Sequence, residues 1–201
     1  MKTVKNAIIM LGISAIAAFV TPALAADAPA APASAGPTFG IVDMNKVMQT
    51  TDAAKDIFSQ LDSKRKEYLA QISKEEDSLR SMQQELEKDK SLSKDAMEGK
   101  KKAFEEKYQQ WQKLAQNRKD VLDLAFEKAM NDLRQKAAEI VAEAAKQKHY
   151  SAVFTQNAVM MSTPDLDLTE EVIAQMNKSV KKIPIDWAAV SGAVSGGGKK
   201  K

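Results

Sequence analysis

The 201-residue chain contains no cysteine and one histidine, His149. The first absence excludes disulfides, thiolate nucleophiles and cysteine zinc sites, so stability has to come from packing. The second excludes any histidine triad, HExxH zinc site or histidine cluster within one chain. Aromatic residues make up 5% and glycines number eight, against 28% charged residues. That balance belongs to long helices or coiled coil more than to a compact enzyme. Long apolar runs are missing as well: none reaches the ~20 residues that a membrane span requires.

The longest apolar run lies at the start. "MKTVKNAIIMLGISAIAAFVTPALA" has basic Lys2 and Lys5, an apolar stretch from Ala7 to Val20 and a small-residue end at Ala23-Leu24-Ala25. These features make residues 1–25 a secretory signal peptide cut after Ala25, and place the mature protein outside the inner membrane. Loss of Lys2 and Lys5 takes the formal charge from +3 to +1, so only local charge clusters can say anything about partners. Residues 26–38, "ADAPAAPASAGPT", are expected to form a flexible linker, and residues 184–201 a disordered tail.

Between them, "FGIV" at 39–42 is a short buried strand, after which Asp43 or Asn45 can cap a helix. No proline or glycine interrupts residues 45–90. Apolar residues recur at Ile57, Leu61, Tyr68, Ile72, Leu79, Met82 and Leu86, an imperfect helical stripe interrupted by Lys64 and Glu75. A break follows at "DKSLSKDAMEGKKK", where Ser91 or Ser93 can cap a second helix running to about Lys148. Its stripe comprises Phe104, Tyr108, Trp111, Ala115, Leu122, Ala125, Ala129, Leu133, Ala137, Ile140 and Ala144. At ~1.5 Å per residue each helix is roughly 70 to 80 Å long, and the short connection makes residues 45–148 an antiparallel hairpin.

Two β-rich runs follow, Ser151–Thr155 and Ala158–Ser162, with Gln156-Asn157 as a tight turn. Asp167 and Glu170 then resemble a capping box before an amphipathic helix carrying Leu168, Val172, Ile173, Met176 and Val180. The expected fold is mainly α with a small β part (α+β), the hairpin projecting from a body of residues 39–44 and 149–183. Three short strands and one helical face cannot close a core alone, so the body is expected to oligomerise. The residues assigned to it are Phe39, Ile41, Val42, Val153, Phe154, Val159, Met161, Val172, Ile173 and Met176. Sequence physics sets no subunit count.

Catalytic chemistry finds no candidate. His149 sits at a helix end, and Glu75-Glu76 and Glu105-Glu106 lie among lysines as solvated ion pairs. "GAVSGGGKK", 192–200, fails the phosphate-loop spacing because Ala193 replaces the first glycine and Lys200 the magnesium-binding hydroxyl. No enzyme activity, cofactor or metal is expected. What stands out is the hairpin tip: Lys88, Lys90, Lys94, Lys100, Lys101 and Lys102 against Asp89, Asp95 and Glu98 give a local +3. This is either a solvated turn or a surface for acidic polypeptides, lipopolysaccharide or an anionic membrane. Phe104, Tyr108 and Trp111 share one face near it, as seam residues or as contacts for apolar client segments.

"FGIVDMNKVM" after a signal peptide, two long charged helices and "HYSAVFTQNAVMMSTPDLDLTEEVIAQMNK" resemble the Skp (OmpH-like) family of periplasmic chaperones, over Phe39 to about Val180. The resemblance implies a homotrimer with a β-barrel head shared by three chains and three arms around a cavity. It also implies a periplasmic holdase that binds unfolded outer-membrane proteins without ATP, and no nucleic-acid partner. The Pro/Ala-rich leader and the "PIDWAAVSGAVSGGGKKK" extension lie outside that pattern. The competing reading is a structural adaptor of the cell envelope that docks its tip on a folded partner.

Overall fold

The computed structural model describes residues 38–88 and 93–197. The expected signal peptide and linker, apart from Thr38, and residues 198–201 lie outside the described residues. In chain order the elements are β1 (Phe39–Val42), α1 (Met44–Thr50), α2 (Asp52–Lys88), α3 (Lys94–Gln147), β2 (Ala152–Thr155), α4 (Thr169–Ser179) and α5 (Trp187–Gly197). The described chain is mostly helical with a two-stranded sheet.

α2 and α3 run antiparallel. Phe58 meets Phe126, Tyr68 meets Arg118, Glu75 pairs with Lys107, and Glu85 lies 3.9 Å from Lys100, so partners advance on one helix as they recede on the other. At ~1.5 Å per residue α2 is about 55 Å long and α3 about 80 Å. Asp43 caps α1 by accepting from the Lys46 N–H, and Ser93 caps α3 by accepting from the Ala96 N–H. Past the end of α3, His149 takes a left-handed conformation, φ 55°, as the chain leaves the helix. Its carbonyl accepts from the Thr38 hydroxyl at 2.7 Å, so its backbone ties the end of the hairpin to the start of β1.

The hairpin returns the chain to the end from which it left, so β1 and β2 pair in parallel, Phe39 opposite Ala152 and Val42 opposite Thr155. On the other edge of β1 the Ile41 carbonyl accepts from the Leu168 N–H at 2.8 Å. Gly40 lies under this junction. A Cβ there would come within 2.8 Å of Leu168 Cδ1 and 2.9 Å of Tyr150 Cδ2. Gly40→Ala is therefore expected to cost about 1–3 kcal/mol by overpacking, read as a lower urea midpoint with unchanged slope; an unchanged midpoint would mean that the junction yields.

Four expectations need correction. The first helix is not continuous from Asn45. It breaks at Thr51, which is extended (ψ 151°) and fully buried. Both ends of α1 are tied to α4: the Asp43 N–H donates to Thr169 Oγ1 and the Asp52 N–H to Asn177 Oδ1, each at 2.8 Å. These tertiary bonds replace helical ones, so no local breaker residue is required. Second, Ala158–Ser162 forms no strand; Gln156–Ala158 is a 3₁₀ turn, and within one chain both edges of β1 are already engaged. Third, the capping box is incomplete. Asp167 accepts from the Thr169 N–H at 2.8 Å, but Glu170 turns away to pair with Lys46.

The fourth correction concerns the tail. Residues 184–197 are ordered: Ile185 packs on the core and α5 lies along the hairpin, with Val190 buried. Its Ala, Val and Trp side chains find an apolar surface that composition alone could not reveal. The main core also ignores the expected boundaries at 44 and 149. It joins Val42 and Val47 to Ala53, Ala54 and Ile57 of α2, to Ala129 through Ile140 of α3, and to Val172, Met176 and Ile183. The hairpin base thus belongs to the body.

Candidate functional site

The seam between α2 and α3 changes character along its length. Near the base, α3 presents small residues, Ala125, Ala129, Ala137 and Ala144, all buried, which let the helices approach closely. Beyond Tyr68 and Val121 toward the tip, Leu79 is the one buried hydrophobic residue among the described residues. The outer arm is instead held by half-buried Ile72, Met82, Leu86 and Trp111 and by the Lys107–Glu75 pair. Few buried contacts and solvated ion pairs mean a low cost for bending or local opening.

Of the tip lysines, Lys88 ends α2 and Lys94 opens α3; both are exposed, as are Lys101 and Lys102. Lys100 is half-buried beside Glu85. Lys90 falls outside the described residues. Lys88 is favoured by the negative end of the α2 dipole, whereas Lys94 sits at the positive end of α3 beside Asp95. The tip thus gathers lysine side chains from both helices.

Phe104, Tyr108 and Trp111 form a ladder, with ring centroids 6.4 Å and then 5.6 Å apart. Phe104 and Trp111 are half-buried while Tyr108 is 42% exposed, so the stripe serves both as seam and as surface. Trp111 Nε1 is buried without a hydrogen-bond partner.

A second apolar surface centres on two residues that periodicity does not single out. Phe58 and Phe126, 6.3 Å apart, are both more than two-fifths exposed. With Leu61, Asp62, Arg65, Leu122 and Asp123 they line a groove of about 320 Å³, and exposed Leu69 lies further along α2. Large apolar residues one position off the seam, as Phe58 is off Ile57 and Phe126 off Ala125, were the available signal.

Gln60, Lys64 and Glu67 occupy a different side of α2, where α5 docks with Trp187 beside them. Val190 buries against Tyr68, Val121 and Ala125, with Ile185, Trp187 and Val194 half-buried around it. The Tyr68 ring has Arg118 at 4.5 Å and Lys64 at 5.1 Å from its centroid, and Lys64 also stands 5.7 Å from the Trp187 ring.

At the body, Ile41, Val42, Val172 and Met176 are buried, and Val153, Val159 and Ile173 half-buried. The Phe39 and Phe154 rings meet at a tilt with centroids 5.6 Å apart yet remain about two-fifths exposed, and Met160 and Met161 project almost entirely into solvent. Hydrogen bonding from the Thr169 side chain and N–H holds the Asp167 carboxyl below its usual range. The Glu170 partner pushes Lys46 upward, and Glu171 does the same for Lys148, so α4 is latched by charge to α1 and to the end of α3. Among the described residues no group of three or more His, Asp or Glu side chains could hold a metal ion, and no helix is long and apolar enough to cross a membrane.

The profile of the outer membrane protein (OmpH-like) family matches residues 38–176, from the residue before β1 to the buried Met176 of α4. The chain belongs to the OmpH-like family. A solved structure, that of a proposed OmpH-like outer membrane chaperone from Caulobacter crescentus CB15, agrees in fold with this OmpH-like chain. The TM-score is 0.71 at 20% identity, over 75% of this chain and 89% of that one. No curated protein matches the sequence. The segment that carries α5 lies wholly beyond the family match.

Proposed function

We infer that this OmpH-like protein is a periplasmic holdase chaperone, which shields unfolded outer-membrane β-barrel proteins between its arms without ATP and assists their delivery. The observation that carries this reading is the outer arm itself. It has a thin seam, a basic tip and exposed Leu69 and Tyr108 scattered among charges, and exposed Phe58 and Phe126 continue this apolar surface toward the base. A surface of that kind makes many weak contacts with an unfolded chain and demands no single sequence. Unfolded barrel strands alternate apolar and polar residues and aggregate when exposed.

The body supports assembly of several copies. Phe39, Phe154, Met160 and Met161 expose a large apolar area beside the two-stranded sheet. A homotrimer with a shared barrel head, which the OmpH-like resemblance implies, would cover it by supplying strand partners to residues 159–163 from neighbouring chains. Lipopolysaccharide or an anionic membrane surface is a further ligand for the tip lysines.

The test is dilution of a urea-unfolded barrel protein into buffer with and without the mature protein. Light scattering is expected to be suppressed at about one assembly per client with no nucleotide present. Unchanged scattering would overturn the holdase reading, and a single folded partner recovered in stoichiometric complex would favour the adaptor.

A further inference from the structure

The C-terminal segment is attached to the arm in a way that reads its main chain. The Gln60 side-chain amide makes two bonds to it: Nε2 donates to the Ile183 carbonyl at 3.0 Å and Oε1 accepts from the Ile185 N–H at 3.1 Å. A carbonyl and an N–H two residues apart on one side are what an extended strand offers a neighbour. Gln60 therefore acts as a one-residue strand edge, blind to side-chain identity. Ile183 and Ile185 pack on the core while Pro184 between them is exposed. The recognised pattern is an extended chain with apolar side chains at alternate positions.

The helix beyond this attachment is weakly self-supporting. α5 carries Gly192, Gly196, Val190 and Val194, all poor helix formers, and no charged residue, so among the described residues it makes no ion pair. Asp186 accepts from the Ala189 N–H at 2.9 Å and caps it internally. Its hold on the arm is apolar contact with Tyr68, Val121 and Ala125. An unrelated apolar polypeptide could supply every one of these contacts.

We propose that the arm face formed by Gln60, Tyr68, Val121 and Ala125 is a binding groove for apolar polypeptide, taken as extended chain with alternating apolar residues at Gln60, with residues 183–194 as its resident, displaceable occupant. Transmembrane β-strands have this alternation, so the displacing ligand is an unfolded barrel segment; that identification rests on the chaperone reading, whereas the groove does not. Tethering gives the resident a high effective concentration. A short alternating peptide therefore displaces it only at high concentration, while a client offering many strands at once prevails at lower concentration.

Trp111 and Trp187 are the only tryptophans, so a full-length Trp111→Phe variant leaves Trp187 as sole reporter. The probes are a short peptide alternating valine with threonine or lysine, a scrambled peptide of the same composition, and a urea-unfolded barrel protein whose tryptophans are replaced by phenylalanine. The alternating peptide and the client are expected to red-shift Trp187 emission, and the scrambled peptide to have little effect. In the unaltered sequence, amides of residues 187–194 should lose hydrogen-exchange protection under the same additions. Val190→Asp, which weakens the resident and leaves the groove intact, should tighten apparent peptide affinity about tenfold or more by removing the competitor. A mere brace would give no such gain.

The groove is overturned if neither peptide nor client moves Trp187 or the exchange of 187–194, whether or not aggregation is still suppressed, or if Val190→Asp binds the peptide no tighter. Displacement by the peptide without capture of the client upholds the groove and removes the chaperone reading instead.

Discussion

Leu133→Ala is expected to lower the free energy of unfolding by about 3–4 kcal/mol, near the middle of the range for buried leucines. Leu133 is completely buried, and its neighbours along the α3 stripe are Ala129 and Ala137, whose methyl groups cannot reach into the space it would leave. The core around it joins α1, α2, α3 and α4, so the void would be felt by every element of the base. Against a typical total of about 5–15 kcal/mol the loss is large. Urea denaturation at fixed protein concentration is the measurement, since assembly would add to apparent stability. A midpoint shift worth less than about 1 kcal/mol would show that this site collapses easily and that the base is not one cooperative core.

Charge reversal at the tip has the second large effect. Changing Lys88, Lys94, Lys100, Lys101 and Lys102 to Glu turns a positive cap into a strongly negative one while leaving the buried seam near the base untouched. The association rate with an acidic unfolded client is expected to fall by about one to two orders of magnitude at low ionic strength, because steering acts on encounter. The difference should shrink markedly near 0.5 M salt, where the screening length is only a few ångströms. Stopped-flow capture at two salt concentrations measures it. Equal rates for both proteins at low salt would remove the tip from the mechanism and leave capture to the apolar surfaces.

Much of the architecture is visible in the spacing of apolar residues. Ile57, Tyr68 and Leu79 on α2, and Ala125 to Ala144 on α3, lie on the expected stripes and are buried. Asp43 and Ser93 cap as their side-chain chemistry allows. The break at Thr51 was invisible because its cause is not local: Thr169 and Asn177, more than a hundred residues away, supply the bonds that fix α1. The strand expected at Ala158–Ser162 has the right composition, but a strand exists only with a partner, and one chain offers none there.

The candidate site was legible to a smaller degree. Lysines at a predicted turn and three aromatics at helical spacing can be read directly, since charge and periodicity are properties of the chain. The off-stripe positions of Phe58 and Phe126 are visible in the sequence but their pairing is not, because two off-stripe residues become a surface only when the register of the two helices brings them together. The same holds for Gln60, one glutamine among many until the chain returns to its amide.

The helical hairpin, its caps and charged tip, and the lack of cysteine and histidine-cluster chemistry follow from the order of amino acids, because helix formation and side-chain chemistry depend on neighbours within a few residues. The tertiary structure alone decided the bend at Thr51, the parallel pairing of Phe39–Val42 with Ala152–Thr155, and the fate of a tail that composition marks as disordered. Each of these depends on contacts between residues distant in the chain, and a glycine-rich helix such as Trp187–Gly197 is held in place by the apolar face it covers.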